Sequence, residues 1–242
     1  MTNGEPADTE PTDTKIDKML GSRQLAPLPA DRLKQIEAAV VADLKPVRPL
    51  ASDGAYLAGF AGIFIAVCII GVYILGWHGW LALSELQKIA VFAPLVAITA
   101  ILAFSIVRQM RPAATYARSS ALVSGSLFVL LLLIVALLFQ PAQESEFIRN
   151  SLICFRTGMT FAIPAAFFFA LLLLRGAALS PALTGATAGG LAGLVGLTVL
   201  EIQCPNLNVY HIMVGHVSVT LICVVLGVVF SSVTFRRWTS NH

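Results

Sequence analysis

Six stretches of about twenty apolar residues, separated by short polar linkers, take up most of this chain after residue 53. The hydrocarbon core of a bilayer is about 30 Å thick, and roughly 20 residues of α-helix cross it. Inside it every backbone N–H and C=O must be paired within the protein, so such stretches are helices. The stretches run Ala55 to Trp77, Ile89 to Val107, Ser120 to Phe139, Gly158 to Leu174, Pro181 to Leu200 and His211 to Thr234. Hydrophobic residues make up 57% of the chain and charged ones 12%, about half the charge of an ordinary soluble domain. The expected fold class is an all-α membrane protein, a six-transmembrane helix bundle with a short N-terminal cytoplasmic segment.

The charges set the orientation. Thirteen of the 16 Lys and Arg residues fall on one expected side: the N-terminal head, Arg108, Arg111, Arg118, Arg175, Arg236 and Arg237. Lys88, Arg149 and Arg156 fall on the other. Basic residues concentrate in cytoplasmic loops, so both termini are expected in the cytoplasm. Trp77, Trp80 and Trp238 sit at expected interfaces, where amphipathic rings settle. Residues 1–24 lack the basic start of a cleavable signal, so the head is expected to stay where it is made. The fifth stretch is the least clear-cut, because it is rich in Gly and Ala, with Ala186, Gly189, Gly190, Gly193 and Gly196 in small-xxx-small spacing. Small residues at that spacing let helix backbones approach closely.

The expected organisation is a disordered tail (1–24), a cytoplasmic amphipathic helix and connector (25–53), a membrane domain (54–235) and a short cytoplasmic tail (236–242). In the head, Leu33, Ile36, Val40 and Leu44 fall at i, i+3, i+7 and i+11, one stripe of a helix. Pro46 stops that helix. A lone helix of this length is marginal in water, so the stripe needs a cover, either the membrane surface and its own loops or a groove on another protein. Its polar face mixes both signs, unlike the basic face of a lipid-surface helix, and this leans toward a protein partner.

Four cysteines do not make a disulfide scaffold. Cys68 and Cys223 lie mid-stretch and read as small hydrophobes. Cys154 precedes the fourth stretch and Cys204 follows the fifth, so both are expected at the outer surface. The pair is open to three readings: a structural disulfide, a redox or thiophilic-metal switch, and unrelated thiols. Closing a loop of about 50 residues would contribute roughly 4 kcal/mol on the chain-entropy account. Arg156, two residues from Cys154, would favour a thiolate. Glu201, His211 and His216 lie near Cys204, and such side chains bind borderline and soft metals. His211 and His216, however, are five residues apart, which is not one face of a regular helix. The spacing therefore favours a thiol reading over a metal cluster. His216 reads as a functional group or an interhelical polar contact.

Other functions find less support. Membrane thiol-redox proteins usually carry Cys-x-x-Cys, which is absent. A small membrane transporter would place ionisable groups at membrane depth, and the stretches nearly lack them. No hydrolase serine motif, phosphate-binding loop or paired carboxylate appears, so no enzyme activity and no cofactor are expected. The basic residues form no run suited to direct nucleic-acid contact.

The ordered set of features resembles the NrsF-type integral-membrane anti-sigma factor family (negative regulator of sigma F). It consists of a head ending in Asp43-Leu44-Lys45-Pro46-Val47-Arg48-Pro49-Leu50, six spans, Cys154 before the fourth, and Cys204-Pro205 followed by His211 and His216. The resemblance covers roughly residues 25–242. It implies a multi-pass protein of the bacterial inner membrane that holds an ECF-type sigma factor away from RNA polymerase and releases it under oxidative or heavy-metal stress. It implicates Cys154 and Cys204 as sensors. The stripe Leu33, Ile36, Val40 and Leu44 is our own assignment of the sigma contact.

Overall fold

The computed structural model describes residues 29–43, 51–110, 117–141, 145–175 and 180–240. The tail 1–24 and Leu44 lie outside them. Among the described residues the chain is helical, with no strands. Two units separate at Pro49 and Leu50. The first contains α1 (Ala30–Asp43). Its stripe residues Leu33 and Ile36 are about half exposed, and Val40 lies in the same helix.

The second unit contains α2 (Asp53–Leu75), the short α3 (His78–Ala82), α4 (Glu85–Gln109), α5 (Ala117–Leu138), α6 (Phe147–Leu173), α7 (Pro181–Gln203), one turn α8 (Val209–His211), a π-helical turn Ile212–Val217, and α9 (Ser218–Ser240). Local signals set several ends. The Ser52 side chain accepts the Ala55 N–H at 3.3 Å to start α2. Gly76 stops α2 at φ 84°, a conformation that favours glycine. Ser84 and Gln87 form a reciprocal capping box on α4. Pro181 occupies the first turn of α7, where its missing N–H costs nothing.

Five helices are long and apolar enough to cross a membrane: Asp53–Leu75, Glu85–Gln109, Phe147–Leu173, Pro181–Gln203 and Val209–Thr234. The third expected span falls on α5, whose described apolar part, Leu122–Leu138, is shorter. Ile69, Ile74, Leu137 and Phe230 are among many large apolar side chains turned outward. So much exposed apolar surface suits lipid rather than water. The fourth expected span differs in its start. Its helix begins at Phe147 rather than Gly158, because the polar residues Arg149, Asn150 and Arg156 interrupt the hydropathy but not the helix.

The weakly hydrophobic fifth stretch, α7, is the centre of the bundle. Of its apolar window 83% is buried, against 11% for α2. Glycine makes this possible. A Cβ at Gly189 would collide with the Cys223 carbonyl of α9, and one at Gly193 would lie 2.5 Å from Thr220 Cα. On the α6 side, a Cβ at Gly196 would lie 2.6 Å from the Gly158 carbonyl oxygen. Phe60, Ile106, Phe169, Leu191 and Val195 pack on one side of α7, with Phe60 and Phe169 ring centroids 5.4 Å apart. Ile98, Leu131, Leu194, Leu197 and Ile212 pack on another. Near the start of α7, Gln109 Nε2 donates to Ser105 Oγ at 3.0 Å and Thr187 Oγ1 at 3.1 Å. Thr184 Oγ1 donates to Gln109 Oε1 at 3.0 Å, so this buried amide is bonded at both ends.

Gly189→Val is expected to destabilise the bundle by at least about 1–3 kcal/mol through overpacking. Gly62→Val, with nothing within 4 Å of its Cβ, should be nearly neutral. Thermal unfolding of the two variants in detergent checks the contrast.

Candidate functional site

Three helical segments bring Cys154, Cys204 and the two histidines together. Cys154 lies two turns into α6, inside the helix rather than ahead of it. Ser151 stands three residues earlier on the same face. Cys204 ends α7 with φ −81° and ψ 116°. Pro205 disfavours helical backbone at the residue before it, so the Cys-Pro pair stops α7 here. The Cys204 N–H still bonds the Leu200 carbonyl at 2.7 Å. The return is tied by asparagines. Asn206 Oδ1 accepts the Asn208 N–H at 3.0 Å, and Asn208 Oδ1 caps the next turn at Tyr210 N, 3.1 Å away.

The π-turn corrects the objection from spacing. In a π-helix the hydrogen bonds run i→i+5, which brings residues five apart onto one face. The turn starts just after His211, and the two rings stand edge to face with centroids 5.3 Å apart. Gly215 lets this wide turn sit against α6, since a Cβ there would lie 3.2 Å from the Ser151 carbonyl oxygen and 3.4 Å from Cys154 Cβ.

In the resulting cluster Cys204, His211 and His216 are buried and Cys154 is half-buried. Cys154 Sγ and Cys204 Sγ are 3.6 Å apart, and Cys204 Sγ is 3.5 Å from His211 Nε2. One ligand atom from each of Cys154, Cys204, His211 and His216 lies within 4.8 Å of all the others. His211 Nδ1 faces Ser151 Oγ at 3.4 Å. His216 donates from Nδ1 to Glu201 Oε1 at 2.9 Å. His211 and His216 are each 1% exposed and Glu201 5%. His216 Nε2 has no hydrogen-bond partner among the described residues. A cavity of about 260 Å³, lined by Asn150, Ile153, Cys154, Cys204, Asn206 and His211, reaches the sulfurs. Arg156 is exposed, and at i+2 from Cys154 it points to another side of α6. Cys68 and Cys223 belong to the helix packing.

Cys204 is held well below the ordinary thiol range. The hydrogen bond from the Cys154 thiol is the main cause; burial opposes it, and His211 and His216 lower it further. The arrangement thus pairs a thiolate with a neighbouring thiol, the relation needed for thiol–disulfide chemistry. Four soft or borderline donors also suit a thiophilic metal.

Two contributors were not picked out from the sequence. Ser151 carries a faint signal, its i, i+3 relation to Cys154. Gly79 of α3 carries none. A Cβ there would lie 2.5 Å from the Cys204 carbonyl oxygen and 2.8 Å from that of Glu201, so α3 backs directly onto the end of α7.

A sequence model of the family described as negative regulator of sigma F matches residues 40–238. The chain belongs to that family. The match takes in every member of the cysteine–histidine cluster, but Leu33 and Ile36 precede it. No curated protein and no solved structure matches the chain.

Alkylation of Cys204 by a small neutral reagent should not climb between about pH 7 and 9, where a free thiol ionises. Cys154→Ala removes the main donor and should move the midpoint up toward the ordinary range. A wild-type profile that climbs like a free thiol would contradict the geometry. Gly79→Ala should perturb the site without touching a side chain of the cluster, read as a changed alkylation rate at Cys204.

Proposed function

We propose that this protein is a membrane-bound anti-sigma factor that sequesters an ECF-type sigma factor in the cytoplasm. On this reading α5 crosses the membrane as a sixth span. Both termini then lie in the cytoplasm of a bacterial cell, and the cysteine cluster lies at the outer face of the inner membrane. Membership of the negative regulator of sigma F family carries the reading. It implies a sigma-factor partner. The half-exposed Leu33 and Ile36 on α1 supply an apolar stripe with the chemistry of a groove-binding helix, extended by Val40 and Leu44. The contact with nucleic acid is indirect, through the sigma factor.

Release is triggered at Cys154 and Cys204, by oxidants or by thiophilic metals. With a peroxide, the Cys204 thiolate attacks one oxygen to give a sulfenic acid and hydroxide. The Cys154 thiol then attacks that sulfur, closing a disulfide and releasing water. The protein loses two electrons and the peroxide gains them. The sulfurs move from 3.6 Å to a bond of about 2.05 Å, so the step ties α6 covalently to the end of α7. Swinging a population from 1:99 to 99:1 takes about 5.5 kcal/mol. The disulfide must favour the released arrangement over the resting one by that much; its loop-closure contribution of about 4 kcal/mol acts on the unfolded chain and does not enter this difference.

The test is a pull-down from detergent extract with the tagged protein, with and without residues 25–50. A sigma factor should be recovered with the full chain and lost on deletion. Oxidant should release it from the wild type but not from Cys154→Ser or Cys204→Ser. Absence of any sigma factor from the full-chain sample would overturn the assignment.

A further inference from the structure

We propose that Cys154, Cys204, His211 and His216 form a single four-ligand site for a thiophilic d10 cation, Zn²⁺ or Cd²⁺, with Glu201 and Ser151 as its outer partners. The proposal names the ligand set of the sensor described above, and it rests on that reading only for its effect on the sigma factor.

Two measured edges match a tetrahedron, and the widest separation, up to 4.8 Å, closes by about 1 Å when an ion binds. With Zn–S near 2.3 Å and Zn–N near 2.0–2.1 Å, a regular tetrahedral site has S···S edges of about 3.8 Å and S···N edges of about 3.6 Å. The corresponding separations are 3.6 Å for the two sulfurs and 3.5 Å for Cys204 Sγ to His211 Nε2. All four donor atoms lie within 4.8 Å of one another.

The histidines are set up as ligands. His216 has Nδ1 committed to Glu201, which leaves Nε2 as the ring nitrogen that can bind a metal, giving up its proton where it carries one. That nitrogen is buried and has no hydrogen-bond partner among the described residues. A buried ring nitrogen without a partner is costly, and a metal ion bound to it in place of a proton satisfies it. A carboxylate behind a histidine is the usual outer partner of a metal-bound imidazole. Ser151 stands behind His211 in the same way, facing Nδ1 while Nε2 faces the sulfur. The donors also choose the ion. Two sulfurs and two imidazoles exclude Mg²⁺ and Ca²⁺, which take oxygen. Cu⁺ is held by soft thiolates and does not require both histidines. The cavity past Asn150 and Asn206 gives an entry path.

The ligands come from α6, from the end of α7 and from both ends of the π-turn. A bound ion would therefore cross-link three segments and hold the turn in its wide form.

The test uses the reduced full-length protein in detergent, titrated with Cd²⁺ alone and followed by the thiolate-to-cadmium ultraviolet band. One ion per chain should bind. His211→Ala and His216→Ala should each weaken binding at least about tenfold, and Glu201→Gln by about 10–100-fold with the band unchanged. X-ray absorption at the zinc edge of the wild-type protein, which needs no variant to fold, should count two sulfurs and two nitrogens. Binding that ignores both histidine variants, a first shell without nitrogen, or no binding at all would overturn the proposal. Sigma-factor capture is scored on the same preparations. Capture without metal binding removes the metal site and leaves the anti-sigma reading standing. Metal binding without capture does the reverse.

Discussion

The close approach of α7 to its neighbours is the constraint on which the rest of the bundle depends. Within a bilayer, helices gain little from hiding apolar surface, because lipid tails are as apolar as leucine. What holds them is dispersion contact over a tight seam, and tightness requires small side chains. Gly185, Gly189 and Gly193 repeat every four residues and present one face of α7 to α9. There the backbone of Cys223, Thr220 and Gly227 fills the space a side chain would take. Gly196 does the same toward Gly158 of α6. Because α7 sits in the middle, the positions of Cys154, Cys204 and His216 relative to one another follow from these two seams.

The cluster at the end of α7 runs against its surroundings. A carboxylate, two imidazoles and a thiolate are expensive to bury unless they satisfy one another. Here they do so in part. Glu201 takes the His216 proton donor, Cys204 takes the Cys154 thiol, and His211 bridges Cys204 and Ser151. A backbone irregularity accompanies them. A π-turn spends one extra residue inside a helix and tends to occur at functional sites. Gly215 and the Ser218 hydroxyl, which donates to the Val214 carbonyl at 2.5 Å, fit the turn to its neighbours.

Much of this was legible in the sequence for simple reasons. Runs of apolar residues as long as a bilayer is thick can only be helices, and five of the six expected runs are helices of spanning length. The glycine spacing at 189, 193 and 196 pointed to close packing, and close packing is what it makes. Cys204 was expected just past the fifth apolar run, and it does end that helix, where Pro205 stops it. The fourth helix began earlier than its hydropathy, since Arg149 and Arg156 lower the apolar score without disfavouring helix. The π-turn was invisible. No residue type encodes it as proline encodes a stop, so a spacing of five between His211 and His216 argued against the site when it in fact builds it. Ser151 and Gly79 join the site through tertiary contacts that periodicity does not reveal.

Signalling between the ends of α7 needs an element with two discrete arrangements, not merely a chain of contacts. The helix itself is a poor candidate. Clamped by glycine seams on two sides, it has little room for a second packing arrangement. From Glu201 back to Thr184 and the Gln109 network is about 26 Å at 1.5 Å per residue. The π-turn is the better candidate, because it differs from a regular helix by one residue. Closing it to an α-turn would rotate one side against the other by about 100° and shift it by about 1.5 Å along the axis. His216 could not then share a face with His211, and the Glu201 contact would break. Whatever pins or frees the four donor atoms therefore biases the turn. Since α9 continues directly from it and packs along the whole of α7, a rotation there must be taken up at the seam of Gly185, Gly189 and Gly193. That seam tolerates no bulk, so it has few intermediate positions to offer.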